Sequence, residues 1–256
     1  DYILARDTVE KAYNELKTRG IIESVKGKGY YVKNTNPESK LKILVLFNKL
    51  SSYKKVIYNT MAHQLGEKAQ IDFFIYHCNY ELFEKIISER LADYNYYVLM
   101  PHFISLDVQK LQRLLGKIPK EKIIMMDRQI EGIDYYHGLV YQDFKMDIYD
   151  ALLEAVDLIK KYERLILVFP ENENYPYPKD IVLGFRRFCA FNEMNFEVIS
   201  EITQETDVIS KSAYVIIEEN DLVNLIKCTR QKNLKLGKDI GAISYNDTPL
   251  KEVLED

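Results

Sequence analysis

Cysteine is scarce in this chain, and so are glycine and proline. The 256 residues hold three cysteines, Cys78, Cys189 and Cys228, far apart and without a CxxC pair. That argues against a disulfide scaffold or a zinc finger and fits a reducing, cytoplasmic setting. Ten glycines and seven prolines exclude collagen-like and linker-rich architectures. No apolar run approaches the ~18 residues of a membrane span; the longest, such as Ile43–Phe47 and Ile123–Met126, are strand-sized. No basic-then-apolar leader opens the sequence, so no membrane partner is expected. GxSxG, P-loop, HExxH and GxGxxG motifs are all missing, and His63, His77, His102 and His137 show no ligand spacing. The expectation is a protein that is not an enzyme and carries no cofactor and no metal.

What is present is a chain able to build a sizeable core, with 47% hydrophobic and 29% charged residues. Its net charge of −4 is unevenly spread. Residues 1–40 carry eight Lys/Arg against six Asp/Glu, whereas the remainder carries 27 against 33. Lys17, Arg19, Lys26, Lys28 and Lys33 stand against Glu23 alone. Such a basic cluster is either a phosphate-binding footprint or an ordinary solvated face.

Asp7–Lys17 reads as a helix, because Val9, Ala12, Tyr13 and Leu16 form one apolar stripe at i, i+3, i+4, i+7. Asp7 or Thr8 is its expected cap, Glu10 the capping-box partner, and Gly20 the stop. Ile21–Val25 and Tyr30–Val32 read as a hairpin around Lys26-Gly27-Lys28-Gly29. Tyr13, Leu16, Ile21 and Ile22 are the expected core of this piece. Residues 34–40 then form a polar linker containing Pro37. Beyond it, strand-sized apolar runs begin near Lys42, Ile71, Tyr96, Lys122, Arg164, Phe196, Ala213 and Ile240, with amphipathic helical stretches between most of them. Alternating strands and helices imply parallel sheets covered on both faces. Eight strands divide more easily into two lobes of about four, near residues 138–144.

The first piece, ARDTVEKAYNELKTRGIIESVKGKGYYV, resembles the second half of a GntR-type winged helix-turn-helix: a recognition helix opening Arg-Asp-Thr-Val, an L-x-x-x-G-I-I turn and a G-x-G-Y wing. The resemblance implies operator DNA bound by a homodimer, and two more helices ahead of the recognition helix. It places Arg6, Thr8 and Lys11 on the DNA-facing part of the helix and Lys26, Gly27, Lys28 and Gly29 in the wing. Arg6 is the base-reading candidate, since its fork can bond a base edge twice; a phosphate contact carries equal weight.

Residues 41–256 resemble the LacI/GalR effector domain, a periplasmic-binding-protein-like type I fold. Four ordered matches carry this: Ile123–Arg128 (IIMMDR), Val140-Tyr141-Gln142-Asp143, Leu183–Phe188 (LGFRRF), and Glu219-Asn220-Asp221 with the later run GKDIGAISYNDTP. Ile181 stands where the family usually places a ligand-gripping arginine, and Asn246 replaces the first of two aspartates. The expected fold is therefore α/β, a two-lobed effector domain (lobe 1 about 41–138, lobe 2 about 139–256) preceded by a partial winged helix-turn-helix at 1–33. The resemblance also implies a last crossover between the lobes.

Ligands in such folds bind beyond the C-terminal ends of the strands. The effector candidates are Asn48, Ser51, Ser52 and Tyr53 after the first strand, His102 and Phe103 after the third, Asp127 and Arg128 at the fourth, and Asn220 and Asn246 from the second lobe. Asp127–Arg128 is read equally well as a structural ion pair, Asp221 in preference as a helix cap, His102 in preference as a polar rim residue, and Phe103 and Tyr53 alternatively as core. The functional expectation is a DNA-binding regulator of sugar-utilisation genes, a repressor in preference to an activator. Its small-molecule effector is a sugar or sugar derivative. The alternatives are a sugar-binding module without a DNA role and a sensor of a non-sugar metabolite.

Overall fold

The strand–helix rhythm of residues 41–256 resolves into two parallel sheets. The computed structural model describes residues 6–25, 27–33, 40–171, 175–248 and 251. The chain divides into two units, Asp1–Leu41 with Glu67–Gln70, and Lys42–Gly66 with Ile71–Asp256.

The first unit holds helix α1 (Arg6–Thr18) and the antiparallel strands β1 (Ile22–Val25) and β2 (Gly29–Val32), registered Ile22 to Val32 and Val25 to Gly29. Gly27 and Gly29 have φ of +78° and +97°, the left-handed backbone this turn needs and a side chain resists. Lys26 and residues 34–39 lie outside the described residues. The expected capping box is not formed. Asp7 sits inside the first helical turn, and Glu10 pairs instead with Arg6 at 3.3 Å. The expected core is also corrected. α1 buries no residue, Tyr13 is 38% exposed and packs at a tilt of 37° on Tyr30 with ring centroids 4.5 Å apart, Leu16 and Ile21 are half-buried, and Ile22 is buried. One helix and one hairpin have too little surface to enclose an apolar stripe.

The first sheet, in the second unit but for Leu41, Ala69 and Gln70, has the order β4-β3-β5-β6-β7. Its strands are β3 (Leu41–Phe47), β4 (Ala69–Ile75), β5 (Tyr96–Leu99), β6 (Ile123–Asp127) and β7 (Gly138–Tyr141), with helices α2 (Ser52–Leu65), α3 (Tyr80–Ser88) and α4 (Val108–Leu115). The second sheet has the order β11-β10-β8-β9, from β8 (Arg164–Val168), β9 (Asn195–Ile199), β10 (Ser212–Ile216) and β11 (Ile240–Ser244). Helices α5 (Phe144–Glu154), α6 (Val156–Ile159), α7 (Asp180–Phe191) and α8 (Glu219–Gln231) accompany it. Every described register in these two sheets is parallel. β7 is a strand the sequence reading did not list, and it joins the edge of the first sheet.

Both faces of the second sheet are buried, as a parallel sheet requires. Leu165 and Leu167 join a core with Phe185, Phe188 and Val215, while their neighbours Ile166 and Val168 join another with Tyr214, Leu225 and Ile240. Gly184 lets α5 and α7 pack closely: a Cβ there would lie 2.1 Å from the Lys145 carbonyl oxygen.

Candidate functional site

Parallel strands send all their C-terminal ends to one side, so the residues that follow them converge. Here they enclose a cavity of about 270 Å³ between the lobes. The first lobe contributes Asn48 to Lys54 after β3, His102 after β5, Asp127 at the end of β6, and Gln142 and Phe144 after β7. The second contributes Tyr175 to Pro178 after β8, Ile217 to Glu219 after β10, and Tyr245, Asn246, Thr248 and Lys251 after β11.

Asp127 organises the first wall. Its backbone is left-handed, φ +72°, an uncommon state for a residue with a side chain. Its Oδ2 lies 2.6 Å from His102 Nε2 and 3.4 Å from Lys54 Nζ, and its Oδ1 accepts from Gln142 Nε2 at 2.6 Å. Gln142 Nε2 also donates to the Tyr53 hydroxyl at 3.0 Å, and Lys54 Nζ donates to Asn48 Oδ1. Asn48, Lys54, His102 and Asp127 are all buried.

Burial alone would raise the Asp127 pKa, but the His102 hydrogen bond and the Lys54 charge outweigh it and bring the carboxyl to about 2. Burial lowers both Lys54 and His102, against the pull of Asp127. The wall thus contains a carboxylate, an ammonium and a neutral imidazole, cross-linked before any ligand arrives.

Across the cleft, Lys49 Nζ donates to Tyr177 OH at 2.7 Å and lies 3.4 Å from Glu218, which accepts from the same tyrosine. Ser52 Oγ donates to Glu219 Oε2 at 3.0 Å. Burial, then Glu218, raises the Tyr177 pKa, so its hydroxyl stays protonated. Thr248 is buried on the cleft wall, and its Oγ1 finds no partner among the described residues.

Of the ten expected effector residues, Asn48, Ser51, Ser52, Tyr53, His102, Asp127 and Asn246 line the cavity. Ser51 also caps α2, accepting from Lys54 N. Three lie elsewhere. Phe103 packs into the first-lobe core against Tyr76, Tyr80 and Phe83. Arg128, turned away by the left-handed backbone of Asp127, borders a separate hollow with Pro101 and Tyr141. Asn220 is exposed on the first turn of α8, where Glu218 and Glu219 reach the cleft instead. His102 is buried and bonded, not a rim residue, and Asp127 pairs with Lys54 and His102, not with Arg128. Asp221 does not cap its helix; its Oδ1 accepts from Ile202 N at 2.7 Å and clamps that loop.

Sequence reasoning missed Lys54, Gln142, Phe144, Glu218, Glu219, Tyr245, Thr248 and Lys251. Position directly after β7, β10 and β11 was an available signal for most of them; Lys54, on a helix, had none. Among the described residues no group of three or more His, Cys, Asp or Glu could hold a metal, and no helix is long and apolar enough to cross a membrane.

No protein-family model matches the chain, and no curated protein matches it. Solved structures do. A putative transcription regulator from Staphylococcus saprophyticus aligns at 12% identity and a TM-score of 0.59, covering 84% of this chain and 82% of that one. A LacI family transcriptional regulator from Lactobacillus casei with bound sucrose aligns at 12% identity and 0.62, covering 82% and 80%. A sugar-binding protein of a sugar ABC transporter from Bacillus halodurans aligns at 10% and 0.60, covering 82% and 76%. The chain has the fold of the LacI-family regulators. At these identities the likeness is one of architecture, shared by regulators and a transport protein alike.

Proposed function

We propose that this protein is a transcription regulator whose effector, a sugar or sugar derivative, binds between the two lobes. The observation that carries the reading is the cleft itself. It gathers Asn48, Ser52, Tyr53, His102, Asp127 and Asn246 with the orphaned Thr248 hydroxyl around one small cavity, and Tyr175, Tyr177 and Phe144 add aromatic faces. A buried hydroxyl without a partner costs about 1–3 kcal/mol, which a ligand hydroxyl recovers. Aromatic faces suit the C–H side of a sugar ring, and the volume is near the lower end of the ~300–1,000 Å³ typical of small-molecule pockets.

The head is read as the distal part of a GntR-type winged helix-turn-helix. Arg6, Thr8 and Lys11 on the helix and Lys26, Gly27, Lys28 and Gly29 in the wing contact operator DNA. The functional unit is a homodimer, and α2 is its contact face. Effector binding closes the lobes by hinge motion and alters how the dimer holds its heads, changing operator affinity by a coupling of ~1–3 kcal/mol. Repression is the favoured sign.

A thermal-shift panel of monosaccharides and sugar phosphates tests the effector half. A sugar at 100 times its dissociation constant adds ~2.7 kcal/mol of stability, and Thr248→Val removes part of that gain. No shift across the panel counts against a sugar. The second reading, a sugar-binding module without DNA, has the transporter protein in its favour. Selection from a random DNA pool separates the two. Enrichment of paired half-sites supports the regulator and overturns the module.

A further inference from the structure

The second lobe holds a cation at the mouth of the cleft. Tyr175 and Tyr177, spaced by Pro176 and followed by Pro178, line the cavity beside Glu218. Into this corner the first lobe extends Lys49. Its Nζ lies 4.5 Å from the Tyr177 ring centroid and 5.3 Å from that of Tyr175. The same nitrogen donates to Tyr177 OH at 2.7 Å and sits 3.4 Å from Glu218 Oε1. The Tyr175 ring, the Tyr177 hydroxyl and the Glu218 carboxylate around one nitrogen form the chemistry that recognises an alkylammonium. The Tyr175 quadrupole attracts the charge, and the Tyr177 hydroxyl and the Glu218 carboxylate accept its hydrogen bonds.

The charge of this lip is a second, separate observation. Glu218, Glu219 and Asp247 all act on Lys251, whose Nζ is held by the carbonyls of Tyr245 and Asn246 at 2.8 Å. Glu218 and Glu219 line this side of the cavity with Lys251, and Lys49 reaches Glu218 from the other lobe. Without Lys49, the corner would keep the Glu218 carboxylate and the two tyrosines.

We infer that the ligand of this cleft carries a cationic amine, an amino sugar by class, whose ammonium takes the seat of Lys49 between Tyr175, Tyr177 and Glu218. Lys49 acts as a tethered stand-in that the ligand displaces. The inference rests on reading the cleft as a small-molecule site, and it specifies the charge of the occupant. It gives Tyr175-Pro176-Tyr177-Pro178 a reason to be stiff: the prolines restrict the backbone that presents both rings.

Calorimetry on the full chain at about pH 6, where an alkyl amine is protonated, tests it with matched pairs: glucose against glucosamine, and galactose against galactosamine. An amine member is expected to bind at least about tenfold tighter than its neutral partner. Lys49→Met, which frees the seat, should tighten the amine several-fold and leave the neutral sugar unchanged. Glu218→Gln, nearly isosteric on a half-exposed side chain, should erase the preference. Circular dichroism confirms that each variant is folded. Equal binding of the two members, or binding of the neutral ones alone, overturns the cationic occupant and leaves the sugar cleft standing. Weaker amine binding in Lys49→Met overturns the stand-in role. No binding by either member of either pair overturns the amino-sugar occupant and leaves the sugar reading to the wider thermal-shift panel.

Discussion

His102 and Asp127 meet at 2.6 Å in the first wall of the cleft, and both side chains are at least 94% buried. Each has a folded pKa below its ordinary value: His102 through burial, Asp127 because His102 and Lys54 outweigh burial. A depressed folded pKa means that the unfolded chain binds the proton more readily, so stability falls on acidification. The imidazole contribution is present above about pH 6.5 and lost as pH drops through the folded value. That of Asp127 begins to be lost below the usual carboxylate range and is gone near its folded pKa of about 2. Urea melts at pH 7, 5.5 and 4 should show a falling midpoint. The Asp127 part is about 2 kcal/mol in total. In His102→Gln, the fall between pH 7 and 5.5 should shrink.

Lys54 and Asp127 form a buried ion pair at 3.4 Å. Removing one partner of such a pair costs about 3–5 kcal/mol, because the other is left charged and unpaired. Asp127→Asn should approach that loss, leaving the Lys54 ammonium with Asn48 alone. Lys54→Met should cost less, because Asp127 keeps His102 and Gln142. Chemical denaturation of both variants at pH 7 gives the order, and the reverse order would mean that Lys54 is the organising charge.

Gly184 marks the contact of α5 with α7. The Lys145 oxygen and the Ile148 side chain both stand within 2.6 Å of where its Cβ would fall. Gly184→Ala must push the helices apart, at a cost on the order of 1–3 kcal/mol. The loss should appear in the melting temperature, whereas Gly237→Ala meets no atom and tests only the strain of its φ of +75°.

Lys28 stands exposed in the glycine turn of the head. If it meets a phosphate in the operator complex, Lys28→Ala should weaken binding to all sequences alike and reduce the salt slope by about one. Arg6→Ala discriminates its two roles: relaxed sequence preference marks a base contact, and uniform weakening a phosphate contact.

The fold was legible because burial leaves periodic traces. Runs such as Ile43–Phe47 and Leu165–Val168 are apolar at every position, as two-faced strands must be. Gly138–Tyr141 escaped because it is a short edge strand, with Val140 65% and Tyr141 54% exposed. In the head, helical spacing marked Tyr13 as core, but spacing reports a stripe and not whether anything covers it. At the cleft, the end-of-strand rule located Asn48, His102, Asp127 and Asn246. It failed at Arg128 because one left-handed residue reverses the direction of the chain, which composition does not reveal. Lys54 was illegible for another reason. A lysine on a helix is ordinarily solvated, and only the convergence of β3, β5 and β6 buries this one.

The prior cross-linking of Asn48, Lys54, Asp127, His102 and Gln142 makes the two walls unequal partners in recognition. One is held by bonds within its own lobe; the other, built on the Tyr175–Pro178 segment and the start of α8, is held across the cleft by Lys49 and Ser52. Discrimination among chemically similar guests should therefore be written in dissociation rates governed by the second wall. Substitutions in the first wall should act on all guests alike.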